Sequence, residues 1–346
     1  MVTFLSLAPA TLESRPALPT ELIWRIIDSL VPSGSTLIPR DHPITRTLLS
    51  LSLASRLTHY RAHELLLMHC VHINSPTVIE RFNAANDGCI PDCGIHHRTH
   101  TKAMYLAPFE HRNQLTTDPV REIDTMLSML AGSLRRLILD FPWRGFWPDH
   151  GDLEPTIILA CAFRRLSALE EFVSLADDLP LDLPQEDSDY EPLAWSTWPR
   201  LRRLSLNHPC INEEFVEALV RCPHLTHLVF NDPRELTRPL PAELAERVSW
   251  ERMGLERVTV VYNIPHDYWG NIRRYRARKP QIDKSFLGRL IMTLREGKTA
   301  VQPELGCVDM SFDELYENPP GQSWLRERAI DGTIWDFPGV LYEPVA

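Results

Sequence analysis

Leu201-Arg202-Arg203-Leu204-Ser205-Leu206-Asn207-His208-Pro209-Cys210-Ile211-Asn212, continuing through Glu213-Glu214-Phe215-Val216-Glu217-Ala218-Leu219-Val220-Arg221-Cys222-Pro223-His224 to Leu225, decides the fold. Leu204 and Leu206, with Arg203 and Ser205 set between them, alternate with the period of a strand. Pro209-Cys210 breaks that strand, Glu213–Arg221 has helical apolar spacing, and Cys222-Pro223-His224 returns the chain to a new leucine. The same opening recurs as Leu134-x-x-Leu137-x-Leu139, Leu169-x-x-Phe172-x-Ser174, Leu225-x-x-Leu228-x-Phe230 and Leu255-x-x-Val258-x-Val260. The first leucines lie 35, 32, 24 and 30 residues apart, and helical stretches at Pro155–Phe163 and Pro241–Val248 fall between units. One such unit cannot bury its own leucines, so neighbours must stack; five units exceed the about three that stacking requires.

If the leucines face the helices, the alternate positions face the other way. They form a row of Arg136, Glu171, Arg203, His227 and Arg257, a middle row of Ile138, Val173, Ser205, Val229 and Thr259, and a row of Asp140, Leu175, Asn207, Asn231 and Val261. Two readings remain open: a groove with an apolar floor and hydrogen-bonding walls, or β-branched residues that simply favour strands. On the first reading Arg136, Ile138, Asp140, Arg203, Asn207, His227, Asn231 and Arg257 are candidates for contact with a bound protein.

Upstream, Leu18-Pro19-Thr20-Glu21-Leu22 opens a helix, with proline near the first turn, where its missing N–H does no harm. Leu22, Ile23, Ile26, Ile27 and Leu30 give that helix one broad apolar stripe. Pro32-Ser33-Gly34-Ser35 ends it; a second helix is expected over Thr45–His59 and a third over Arg61–His69, before a short strand at Cys70–Ile73. Three helices in so few residues make a small core that must lean on a neighbour. The stretch 74–122 predicts a helix at Thr77–Ala85, loops and a short strand. After Asn263 the pattern fades into a basic cluster, a helix at Phe286–Leu294 and an aromatic tail.

Leu18-Pro19-x-Glu21-Leu22-x-x-x-Ile26-Ile27-x-x-Leu30, followed by Leu48-Leu49-x-Leu51-x-Leu53-Ala54-Ser55-Arg56, resembles an F-box, above all the divergent F-boxes of fungal proteins. The downstream units are similar to the irregular leucine-rich repeats that often follow one, and Leu201–Leu225, with Cys210, Ile211 and Cys222, is close to the cysteine-containing class. The resemblance implies an α/β-repeat fold: residues 1–16 disordered, a three-helix F-box at 17–73, a connecting region at 74–122, an irregular leucine-rich-repeat solenoid at 123–263 and a closing segment at 264–346. It also implies a role as substrate-recognition subunit of a cullin–RING ubiquitin ligase. Leu18, Pro19, Leu22, Ile23, Ile26, Leu30, Leu49 and Leu53 would dock a Skp-type adaptor, and through it a cullin, while the repeats hold a protein substrate. An adaptor-binding scaffold without ubiquitination is the alternative. The departures are an insertion at about Val31–Ile44, Thr58-His59-Tyr60 where a tryptophan often stands, and the ladder positions Pro142, Asp177, Pro209, Pro233 and Asn263, of which one is asparagine.

The remaining signals bound the function. With 36 basic and 46 acidic residues the net charge is −10, which offers no broad cationic surface to nucleic acid. No Gly-x-Ser-x-Gly, Gly-x-Gly-x-x-Gly, Walker loop or His-Glu-x-x-His occurs, so no catalytic residue and no cofactor is assigned and the chain is expected not to be an enzyme. Cys89-x3-Cys93-x2-His96-His97-x2-His100 holds metal-capable residues, but its two ligand pairs are too close together for the usual zinc spacing, and no metal is assigned. A zinc-dependent or catalytic protein centred there is a third reading. Arg273-Arg274-x-Arg276-x-Arg278-Lys279 is a nuclear-import signal, a patch for an acidic partner, or a solvated face opposite the acidic loop Asp177–Glu191. Seven scattered cysteines, no long apolar run and a short apolar start at Val2–Ala10 without a basic leader predict a cytoplasmic or nuclear protein that no membrane holds.

Overall fold

The computed structural model describes residues 18–32, 36–87, 100–109, 116–141, 154–179, 193–247, 254–262, 282–296, 304–309, 322–337 and 340–341. Helices α1 (Thr20–Asp28), α2 (Pro43–Ala54) and α3 (Arg56–His69) lead into strand β1 (Val71–Ile73). Then come α4 (Pro76–Asp87), β2 (Ala103–Leu106), α5 (Thr117–Leu130), β3 (Arg136–Leu139), α6 (Glu154–Arg164) and β4 (Glu171–Ser174). The series continues with β5 (Arg203–Asn207), α7 (Glu213–Val220), β6 (His227–Asn231), α8 (Ala242–Arg247), β7 (Arg257–Tyr262) and α9 (Phe286–Glu296). Finally β8 (Glu304–Asp309), α10 (Gln322–Asp331) and β9 (Val340–Leu341) close the chain.

The strands form one nine-stranded sheet whose spatial order is the sequence order. Strands β1 to β8 run parallel, and β9 pairs antiparallel with β8. This is an α/β fold in which a parallel sheet alternates with helices. The five units read from the sequence pair in phase: Arg136, Glu171, Arg203, His227 and Arg257 are opposite one another, and so are Leu137, Phe172, Leu204, Leu228 and Val258. In a parallel sheet a one-residue slip would turn each leucine out of the core, so the leucine rows hold the register.

One face carries the main core. Leu137, Phe172, Leu204, Leu228 and Val258 meet Leu127 and Leu130 of α5, Leu159 and Phe163 of α6, Phe215 and Leu219 of α7, and Leu290 of α9 in one cluster. Leu201, Ile211, Cys222 and Leu225 of the quoted stretch are all buried in it. Burial pushes the Cys222 thiol up to about 12, so it packs as a small neutral hydrophobe. Asn212 caps α7, its Oδ1 accepting the Phe215 amide at 3.0 Å.

Several expected boundaries move. The second helix ends at Ala54 rather than His59, because Ser55 is extended and its hydroxyl accepts the Thr58 amide, starting α3 at Arg56. The expected domain boundary at residue 123 falls inside α5, and Val71–Ile73, read as the end of the N-terminal unit, is the first strand of the sheet. The closing segment adds strands β8 and β9. The 1–16 tail, Cys89–His97 and Arg273–Lys279 lie outside the described residues. Among the described residues no helix is long and apolar enough to cross a membrane.

Candidate functional site

The N-terminal helices are built around a small core of Ile27, Leu48, Ala62 and Leu65. Ile23 and Leu30, expected among the adaptor contacts, are half-buried and also pack on this core. The other side of α1 stays open: Leu18, Leu22 and Ile26 are 58%, 43% and 56% exposed, one turn apart in a single row. Pro19 beside them is exposed. On α2, Leu49 and Leu53 are 47% and 87% exposed and also lie one turn apart. Trp24, which the sequence pattern did not single out, and Tyr60 of the departure tripeptide add large exposed rings. Trp24 is held in place, its Nε1 donating to the Leu57 carbonyl at 3.3 Å.

The unit is pinned internally and then fastened to the sheet. Thr58 Oγ1 donates to the Leu51 carbonyl at 2.6 Å, His59 Nδ1 lies 2.7 Å from the Ser52 carbonyl, and Arg61 pairs with both Asp28 and Glu64. Thr58 and His59 of the departure tripeptide thus tie α3 to α2. The insertion has a role as well. Leu37 and Ile38 are buried, the Ile38 amide donates to the His69 carbonyl at 2.7 Å, and His69 and His72 each set a ring nitrogen 3.0 Å from the carbonyls of Thr36 and Ile38. Burial lowers the pKa of both histidines, and a neutral imidazole donates its one N–H to a carbonyl.

The second sheet face differs from expectation. Of the two readings left open, the groove would need this face uncovered, and the chain covers it. Ile138, Val173, Val229 and Val261 are buried in one cluster with Trp324, Leu325 and Ala329 of α10, with Ile334 and Trp335 of the following 3₁₀ turn (Thr333–Trp335), and with Leu37 of the insertion. The physical reason is the floor itself: a β-branched apolar row must be shielded from water, at roughly 25 cal/mol per Å². The walls bond the same segment. Arg136, buried, donates to the Ala329 carbonyl and faces Glu171 at 3.5 Å, and Gly332 beside it turns the chain at φ +83°, a conformation that favours glycine. Arg257 donates to the Trp335 carbonyl at 3.2 Å, and Arg203 stacks 6.0 Å from the Trp335 ring centre.

Asp140 gathers the densest set of bonds. It accepts from Tyr105 Oη at 2.6 Å, Gln322 Nε2 at 2.8 Å and Arg326 Nη2 at 2.6 Å. Burial, then the Asp140 charge, pushes the Tyr105 phenol well above its ordinary value, so it stays a donor.

Asn207 and Asn231, expected in the groove wall, are buried and face the sheet's own backbone. Asn231 Nδ2 donates to Asn207 Oδ1 at 2.6 Å, and Asn207 Nδ2 donates to the Leu175 carbonyl at 2.9 Å. The asparagine ladder therefore exists two positions ahead of where the repeat pattern places it. It opens an Asn-x-Pro turn used twice, with His208 and Asp232 at φ +52° and +47°, residue types that tolerate that conformation. Asp177 closes a different turn, its Oδ1 accepting the Leu179 amide at 3.0 Å, while Pro142 and Asn263 lie outside the described residues. His227 is half-buried, and burial followed by the Arg203 charge lowers its pKa.

Of the histidine-rich cluster only His100 is described, and its Nδ1 lies 3.1 Å from Glu64. Among the described residues no group of three His, Cys, Asp or Glu side chains is placed to hold a metal ion. Compared with models of known protein families and with curated proteins, this chain finds no match.

Proposed function

We propose that the N-terminal helices are an F-box that docks a Skp-type adaptor, and that the chain is the substrate-recognition subunit of a cullin–RING ubiquitin ligase of the cytoplasm or nucleus. The sheet is then an irregular leucine-rich-repeat solenoid. In-phase leucine rows, sequential parallel strands and helices α4 to α9 gathered on one face support that reading. The observation that carries the functional part is the open apolar row Leu18, Leu22 and Ile26, with Leu49 and Leu53, on a unit small enough to need a neighbour. Covering each large side chain is worth roughly 1.5–3 kcal/mol, and several together support a stable heterodimer after the cost of association. In this role the chain supplies proximity and the transferase chemistry belongs to other subunits.

Co-purification tests it. A Leu22→Asp, Ile26→Asp double change is expected to abolish recovery of adaptor and cullin, while the thermal unfolding of the sheet stays as in the unaltered protein. Unchanged recovery contradicts the assignment. The covered strand face favours a second reading, an adaptor-bound scaffold without ubiquitination. The two separate on whether a cullin co-purifies and whether bound proteins accumulate in the double variant.

A further inference from the structure

The second sheet face carries more charge than closure requires. A face that had only to be sealed would be cheapest as an apolar surface, since a buried ion pair seldom outperforms well-packed hydrophobes. Arg136, Asp140, Glu171, Arg203 and Arg257 nevertheless line it, and three of their contacts read backbone carbonyls or a ring of residues 322–337. The helix α10 brings Gln322 and Arg326, one turn apart, onto the single carboxylate of Asp140, and sets Leu325 and Ala329 over Ile138 and Val173. Trp335 follows, its ring beside Arg203 of β5 and its backbone carbonyl accepting from Arg257 of β7. This is the arrangement of a peptide in a recognition groove, supplied by the chain itself.

We infer that residues 322–337 are a displaceable internal ligand of the strand face, and that the face receives in their place a short helix of another protein bearing an amide or guanidinium pair one turn apart and a large aromatic side chain beyond its end. The segment is then an autoinhibitory strap. This deepens the substrate-holding half of the reading above. It is independent of adaptor docking, so each fails by itself: the Leu22, Ile26 variant reports on the helices, and the experiments here report on the strap.

Native-state hydrogen exchange on the full chain decides it. The α10 amides are expected to exchange through an opening at least about a hundredfold more frequent than that of β3–β6, with a wider gap in Trp335→Ala. One shared opening for strap and strands overturns the inference. In a second measurement a synthetic peptide spanning Gln322–Phe337 is titrated into full-length Trp335→Ala. Saturable binding is expected, roughly tenfold tighter than to the unaltered chain, whose own strap competes. The same peptide carrying Arg326→Ala is expected to bind at least about tenfold more weakly. Absence of peptide binding, or binding indifferent to Arg326, overturns the inference. Should Trp335→Ala fail to fold, exchange on the unaltered chain decides alone.

Discussion

Asp140 stands at the strand-end position that Asn207 and Asn231 occupy two and three strands further on. Asparagines can bond one another and a backbone carbonyl, but a buried carboxylate can only accept, so its column must supply donors. Tyr105, Gln322 and Arg326 do so. Asp140→Ala is expected to cost about 3 kcal/mol in urea unfolding, because it strands the Tyr105 hydroxyl and a half-buried guanidinium. Asn207→Ala is expected to cost about 1–3 kcal/mol, leaving the Leu175 carbonyl and Asn231 without their partner. A loss under about 0.5 kcal/mol for either, the range of an ordinary surface change, would show that these bonds do not hold the strand ends. Strand leucines and their register were legible because period two admits one placement; the burial of Asn207 and Asn231 was not, because alternation says only which side of a strand a residue leaves, not whether that side is covered.

Among the elements, the insertion between α1 and α2 explains how a small three-helix unit holds its place. Leu37 joins the apolar cluster of the second sheet face, and the His69 and His72 bonds fasten the insertion to the start of the sheet. Leu37→Ala is expected to destabilise by about 2–4 kcal/mol, read as a lowered thermal midpoint. The histidines give this junction a pH dependence of fixed sign. Their folded-state pKa values lie below the ordinary 6.5, so as pH falls through that value the unfolded chain takes up protons first. Stability is therefore complete above about pH 6.5 and declines below it, until the folded-state groups protonate too. His69→Gln with His72→Gln is expected to flatten the acid limb of the unfolding curve; an unaltered limb would place acid sensitivity elsewhere. Helices α6, α7 and α9 were legible from their spacing to within about two residues, the range over which helix ends fray. Helix α10 was not. Its sequence, Gln-Ser-Trp-Leu-Arg-Glu-Arg-Ala-Ile-Asp, is charge-rich and short. Only the strand face beneath it explains its burial; the signal that pointed there was the aromatic run Trp324, Trp335 and Phe337.

Across the whole molecule, one parallel sheet carries helices on one face and its own C-terminal segment on the other, with the three-helix unit fastened at the β1 end. The repeat architecture was legible because five in-phase units overdetermine it. The closure was not, since covering the second face depends on contacts between residues nearly two hundred positions apart, such as Arg136 with Ala329. What is left uncovered is therefore informative: of the seven large aliphatic side chains exposed among the described residues, five lie on or beside α1 and α2, where no element of the described chain reaches them. The most direct test of that open surface is side-chain footprinting of the full-length protein with and without a purified Skp-type adaptor. An equimolar complex in which Leu18, Leu22, Ile26, Leu49 and Leu53 lose labelling is predicted. Labelling at those five positions that the adaptor leaves unchanged would contradict the account.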